Sequence, residues 1–277
     1  MTDITAVLLT QNEEKNIVRC IESIKWVDRI ILVDSGSTDA TCQIAESLGV
    51  EVYNHMPFEN HGKQFNWATD NIDINTTWIF RVDADEVVTP ELANEIRQAC
   101  NEHKEDDVNA FEMRFKVLFL GKFLKHGGAY PFVKINIFKK GKARFNERPL
   151  GDNVELHEGR YLQLKHDCLH YDFKDLSSYV KKHDWYADME VESYMKDMDS
   201  QDANISKAAS MRKLLRRGVY YKLPSFLRAK LYYWYIFYVR MGFLDGKAGY
   251  VHAFIQAYFY RVLVDAKIME QELKDNK

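Results

Sequence analysis

Asp83-Ala84-Asp85 closes a short apolar run, Trp78 to Val82, and two carboxylates one residue apart at a strand end suit a divalent cation. Mg²⁺ and Mn²⁺ take carboxylate oxygens and keep positions open for substrate phosphates. With one residue between them, one carboxylate can reach the metal while the other faces a ribose or a metal-bound water. Such a cation stabilises the charge that develops when a diphosphate leaves. The competing reading is a solvated acidic turn. A second polar strand end is Asp34-Ser35-Gly36-Ser37-Thr38-Asp39. Asp34 and Ser35 can accept hydrogen bonds from a base or a ribose hydroxyl, Gly36 permits a tight turn, and Ser37 to Asp39 can cap the helix that follows. A third is Thr10-Gln11-Asn12.

The elements that must position these groups alternate in type. Ile4 to Leu9 reads as a strand buried on both faces. Glu13-Glu14 opens a helix whose apolar stripe is Ile17, Cys20, Ile21 and Ile24. Arg29 to Val33 predicts the second strand, Thr38 to Leu48 a helix stopped by Gly49, and Val50 to Tyr53 a third strand. A helix over His61 to Thr69, a strand over Trp78 to Val82 and a helix from Pro90 complete the pattern. Alternation of this kind implies a mostly parallel sheet covered on both faces. Ligands of such sheets bind beyond the C-terminal strand ends, so the three polar groups are expected on one rim. From Ala110 to Phe145 short β segments turn at Gly121, Gly127-Gly128 and Gly141, and helical periodicity returns at Leu176.

Composition narrows the class. The chain has 277 residues, 46% hydrophobic and 29% charged, with a formal net charge of −3. Those values fit a globular protein and argue against a nucleic-acid-coating one. Cys20, Cys42, Cys100 and Cys168 show no paired spacing and read as reduced thiols. The N-terminus lacks a secretory pattern, and no apolar run reaches the ~18 residues needed to cross a bilayer. The expected location is the cytoplasm, with peripheral attachment to the inner face of the cell membrane. From Lys207 to Lys230 there are eight basic residues and no acid, followed by the aromatic run Leu231 to Val239. Basic charge beside Tyr and Trp suits an anionic membrane surface; a helical appendage packed on the catalytic domain or on a partner is the alternative.

In order, Leu9-Thr10-Gln11-Asn12-Glu13-Glu14, Val33 to Asp39 and Val82-Asp83-Ala84-Asp85-Glu86 resemble the motifs of family 2 glycosyltransferases with the GT-A fold. The similarity is greatest to the bacterial branch that includes lipopolysaccharide-core glucosyltransferases. It continues through Gly62 to Ala68 and more loosely to Leu244-Asp245-Gly246-Lys247-Ala248-Gly249. The resemblance implies a Rossmann-like α/β fold, a mixed sheet flanked by helices, with a C-terminal helical appendage. It implies a catalytic domain over 1–175, divided near residue 100 into donor and acceptor halves; the helical, basic and aromatic region over 176–277 is expected to associate with the membrane. It further implies an inverting transfer from a nucleotide diphosphate-sugar, expected to be a UDP-sugar, to a glycan or lipid-linked acceptor.

By the same resemblance, Thr10, Asn12 and Asp34 line the nucleoside pocket, and Lys63 and Asn66 lie near ribose or diphosphate. Asp83 lies near ribose, Asp85 holds Mg²⁺ or Mn²⁺, and His170 sits near the diphosphate or metal. Family members often carry a second Asp where this chain has Ser35, which hydrogen-bonds but supplies no charge. Inversion needs a general base for the acceptor hydroxyl. Asn146-Glu147 stands where the lipopolysaccharide branch has a His-Glu pair, which favours Glu147 as base with Asp152 as its rival. Other readings stay open. Lys63 can be a solvated helix cation, and His126 to Pro131 can be a close-approach loop with a stacking Tyr130 or a plain turn. His166 and His170, four apart, could share one helix face as metal ligands. A nucleotidyltransferase would share the acidic strand ends, but Thr10-Gln11-Asn12 lacks the glycine that lets backbone amides cradle a triphosphate. A non-catalytic membrane-bound scaffold of the same fold is a third possibility.

Overall fold

The computed structural model describes residues 2–147, 154–171, 175–199 and 220–275. The chain divides into two compact units, one of residues 1–118 and 131–172, the other of residues 119–130 and 173–277.

The first unit opens with β1 (Ile4–Thr10), α1 (Ile17–Ile24), β2 (Arg29–Asp34), α2 (Thr41–Ser47), β3 (Glu51–Asn54) and α3 (His61–Asn71). It continues with β4 (Trp78–Asp83), β5 (Glu86–Val87), α4 (Pro90–Glu102) and β6 (Val108–Phe119). Beyond β7 (Lys122–Phe123) come β8 (Phe132–Lys139), β9 (Ala143–Phe145), β10 (Val154–Leu156) and β11 (Arg160–His170). The main sheet runs β3-β2-β1-β4-β8-β6-β11-β5. The strands β3, β2, β1 and β4 are mutually parallel, and β8 enters antiparallel between β4 and β6. The sheet is therefore mixed, as the change of pattern after Ala110 leads one to expect.

Strand β1 is buried along its whole length, and its alternation feeds two cores. Ile4, Ala6 and Leu8 pack with the apolar stripe of α1 and with Leu92 and Ile96 of α4. Val7 and Leu9 pack on the opposite face with Phe65 and Ala68 of α3. Thr89 caps α4 by accepting from Leu92 N at 3.2 Å, with Pro90 in the first turn.

Two helices start later than the sequence suggests. Helix α1 begins at Ile17 and α2 at Thr41, because the residues before them are drawn into hydrogen bonds between loops. Glu13 N donates to Thr41 Oγ1 (2.7 Å), Glu14 N to Asp39 Oδ2 (3.2 Å) and Thr38 N to Asn12 Oδ1 (2.8 Å).

The second unit contains α5 (Leu176–Asp199), α6 (Leu227–Trp234) and its π-helical continuation Tyr235–Val239, α7 (Gly246–Ala253), a π-helical turn at Phe254–Phe259, and α8 (Tyr260–Asp275). Its core joins Phe119 and Leu124 to Tyr179, Ala248 and Ile255. Residues 119–130, expected in the acceptor half, thus group with the C-terminal helices. None of the described helices is long and apolar enough to cross a membrane.

Candidate active site

The register of the parallel strands fixes the site. Thr10 lies opposite Asp34 across β1 and β2, and Leu9 lies opposite Asp83 across β1 and β4. Three polar strand ends, far apart in the chain, therefore meet side by side on one edge.

Asp34 organises the first two loops. Its Oδ1 accepts from Thr10 Oγ1 (3.1 Å) and Ser37 Oγ (2.5 Å), and its Oδ2 from the amides of Gly36 (2.8 Å) and Ser37 (2.6 Å). Gly36 has φ of 84° and Asn12 of 55°, left-handed positions that Gly and Asn tolerate. Asn12 then ties the loops together, its amide donating to Ser37 Oγ at 2.8 Å. Ser35 is buried, and its hydroxyl accepts from Gln64 Nε2 at 3.0 Å. Gln64 also bonds His55, whose ring stacks on Trp67 at 4.2 Å. The Asp34 and Ser35 side chains thus shape the loop from within.

At the end of β4, Arg81 pairs with Asp83 at 3.0 Å, and Lys134 of β8 reaches both Asp83 (3.0 Å) and the fully buried Glu86 (2.9 Å). Burial alone would raise the Asp83 carboxyl, but the charges of Arg81, Lys134 and His61 outweigh it and hold the group well below the usual carboxylate range. Burial pushes the Glu86 carboxyl above its ordinary value, against the pull of Lys134. Asp85 lies 3.4 Å from His170 Nε2, and its carbonyl accepts from Tyr171 N at 2.8 Å. An oxygen and a nitrogen donor at one edge suit a divalent cation whose remaining positions go to phosphate oxygens. Among the described residues no group of three or more His, Cys, Asp or Glu is arranged as a closed metal site.

His166 and His170 do not share a helix. They lie on strand β11, where Leu164 and Cys168 are buried and His166 is exposed. Irregular pairing between Gln163 and Asp167 separates the two imidazoles. His166 bonds Glu95 at 2.8 Å, while His170 faces Asp85.

Glu147 is tied to the same edge through α3. Asn60 caps that helix by accepting from Lys63 N (2.8 Å) and donates to the Glu147 carbonyl (3.2 Å). The buried Asn66 donates to Phe145 O (3.0 Å) and Glu147 Oε1 (2.9 Å) and accepts from Phe145 N (3.1 Å). Gly62 makes this approach possible, since a Cβ there would lie 2.2 Å from the Asn146 carbonyl oxygen. Phe145 in turn lies under the Arg81 guanidinium, 4.8 Å from its ring centroid. Phe145 and Arg81 thus connect Glu147 to Asp83. Lys63 is exposed and paired with Glu59. Asp152 lies outside the described residues.

Gln64, Arg81, Glu86 and Lys134 have no role assigned from the sequence. Arg81 carried a signal, a charge inside an apolar strand two residues before Asp83. The four cysteines are free, and burial pushes the Cys20, Cys100 and Cys168 thiols up, and that of Cys42 to about 11. The His126 loop belongs to the second unit, where His126 N donates to Asp245 Oδ2 at 2.8 Å and Tyr130 packs edge-on against Phe123.

Comparison with known proteins gives this arrangement a context. Residues 5–148 match the sequence model of glycosyl transferase family 2. An uncharacterized glycosyltransferase of Rickettsia typhi is 27% identical over 286 residues, covering 99% of this chain and 89% of the relative. The lipopolysaccharide core biosynthesis glycosyltransferase LpsC of Rhizobium meliloti is 24% identical over 163 residues, 56% of either chain. Among solved structures, a mannosyltransferase of Pyrobaculum calidifontis in complex with GDP-Man and Mn²⁺ superposes with a TM-score of 0.53 at 14% identity. That superposition covers 96% of this chain and 87% of that one. The shared fold is GT-A.

Proposed function

The chain belongs to glycosyl transferase family 2, and from that premise we propose an inverting transfer of a sugar from a nucleotide diphosphate-sugar to the hydroxyl of a lipid-linked glycan. The observation that carries the reading is the strand register, which sets Thr10, Asp34 and Asp83 on one edge.

In this reading the nucleoside lies against the loops of Thr10 to Asn12 and Asp34 to Ser37. Ser35 is uncharged, and its hydroxyl oxygen accepts from Gln64, so this position offers no charge to the base. Asp83, kept ionised by Arg81 and Lys134, faces the ribose. Asp85 and His170 would hold Mg²⁺ or Mn²⁺, which when bound neutralises the charge of the departing diphosphate. Lys63 lies on the diphosphate side in the first turn of α3, where the helix end favours anions, whereas the buried Asn66, bonded to Phe145 and Glu147, serves the base rather than the donor.

Glu147 takes the acceptor proton as the hydroxyl oxygen bonds to the anomeric carbon and the bond to the diphosphate breaks. Asn66 fixes one Glu147 oxygen, so the carboxylate is oriented before the acceptor arrives. Asp152 remains the rival base. The similarity to LpsC supports an envelope glycan of lipopolysaccharide or capsule type as acceptor, met at the cytosolic face of the membrane.

A thermal-shift screen of UDP-, GDP- and dTDP-sugars with Mn²⁺, followed by assay of sugar transfer or donor hydrolysis, tests this. A UDP-sugar is expected to stabilise the protein and to be turned over. Pyrophosphate release from a nucleoside triphosphate would point to nucleotidyl transfer instead. No shift with any nucleotide would favour a scaffold.

A further inference from the structure

Helix α6 of the C-terminal unit exposes an aromatic face. On α6 the charged Arg228 is buried and pairs with the buried Asp265 of α8 at 2.5 Å. Leu227, Leu231, Trp234 and Tyr238, spaced three or four residues apart, are exposed, Trp234 by 56%. Soluble helices bury their apolar stripe; here apolar and aromatic side chains at helical spacing stay exposed, beside the exposed Lys230. Tyr250 and Phe254, stacked on one another, extend the same surface, since the Phe237 ring contacts both Tyr238 (5.1 Å) and Tyr250 (5.8 Å). More than half of the exposed large hydrophobic side chains among the described residues lie between 226 and 254. A patch so concentrated marks a binding surface.

Charge identifies the occupant. Lys222, Lys230, Arg240 and Lys247, in the same stretch of chain, are exposed. The sequence from 203 to 244 holds no acid, and the next one, Asp245, is buried against His126. Tyr and Trp prefer the zone between lipid tails and water, and Lys and Arg add attraction to anionic headgroups. A surface made for a protein partner would carry fewer lysines about its aromatic centre.

We propose that the exposed aromatic face of residues 227–254 is the surface on which the protein rests against an anionic phospholipid bilayer. Its purpose rests on the lipid-linked acceptor proposed above, whereas its geometry does not.

Flotation of the full chain with vesicles of phosphatidylethanolamine and phosphatidylglycerol, against phosphatidylcholine alone, tests the proposal. Donor hydrolysis without vesicles is measured in parallel. Wild type is expected to float with the anionic vesicles only. Trp234→Ser/Tyr238→Ser/Phe254→Ser should lose at least about ten-fold in binding, with donor hydrolysis and melting temperature unchanged because these side chains are exposed. Lys230→Gln and Lys247→Gln should each cost about five-fold, and added salt should weaken wild-type binding. Flotation of the triple variant, or failure of wild type to float while it hydrolyses donor, overturns the membrane face and leaves the transferase reading intact. A wild-type dimer that the triple variant dissociates, with neither floating, would assign the face to a second copy. Absent hydrolysis with intact flotation would strike the transferase reading alone.

Discussion

Lys134 donates to two carboxylates, Asp83 and Glu86, in a pocket where Glu86 has no exposure to water. Removing one member of a buried ionic cluster leaves charge uncompensated, at a cost of about 3–5 kcal/mol. Lys134→Met is therefore expected to lower the urea unfolding midpoint sharply, and Glu86→Gln in the same chain to recover part of the loss. A midpoint unchanged by Lys134→Met would deny the cluster its structural role. Glu147 makes a different prediction. Glu147→Gln keeps the size and the Asn66 contact but cannot take a proton, so kcat should fall about 10²–10⁴-fold with donor affinity preserved. An equal fall for Asp152→Asn and none for Glu147→Gln would move the base to residue 152. At this scale the sequence disclosed which acids end strands but not what holds them. Asp34 was legible as a polar strand end, yet both its oxygens turn inward onto Thr10, Gly36 and Ser37. Lys134 lies on a strand remote in sequence, and only the antiparallel insertion of β8 beside β4 brings it near.

At the scale of elements, the junction of α3 with the segment after β9 decides where Glu147 stands. Gly62 is the hinge of that contact, because any Cβ there meets the Asn146 backbone. Gly62→Ala must push residues 145–147 off the helix, and a displacement near 1 Å costs about 10²-fold in rate. Steady-state kinetics should show this loss in kcat while nucleotide affinity changes little; wild-type kcat in Gly62→Ala would show that the approach does not position the base. The sequence marked α3 nearly residue for residue, since Asn60 caps it and Phe65 and Ala68 form its buried stripe. It misplaced the starts of α1 and α2, whose leading residues cross-link two loops. The interval between His166 and His170 left a shared helix face open, because four residues fit a helix face and a strand face alike.

For the whole molecule, the alternating strands and helices of the first hundred residues were enough to predict the common rim, since parallel strands must end on one edge. The grouping of residues 119–130 with the C-terminal helices was not legible, because it depends on packing of Phe119 and Leu124 against Tyr179 and Ile255 rather than on local pattern. Nor did the sequence distinguish aromatic residues that pack inward on α6 to α8 from those that face out. In the proposed reaction three strand ends hold a diphosphate against a divalent cation at Asp85. Calorimetric titration of the nucleoside diphosphate found in the donor screen tests it most directly, with Mn²⁺ and with EDTA, on wild type and Asp85→Asn. Wild type with Mn²⁺ is expected to bind tightly, weakened at least about ten-fold by either EDTA or Asp85→Asn, with the melting temperature of the unliganded variant unchanged. Equal affinity in all four titrations would contradict it.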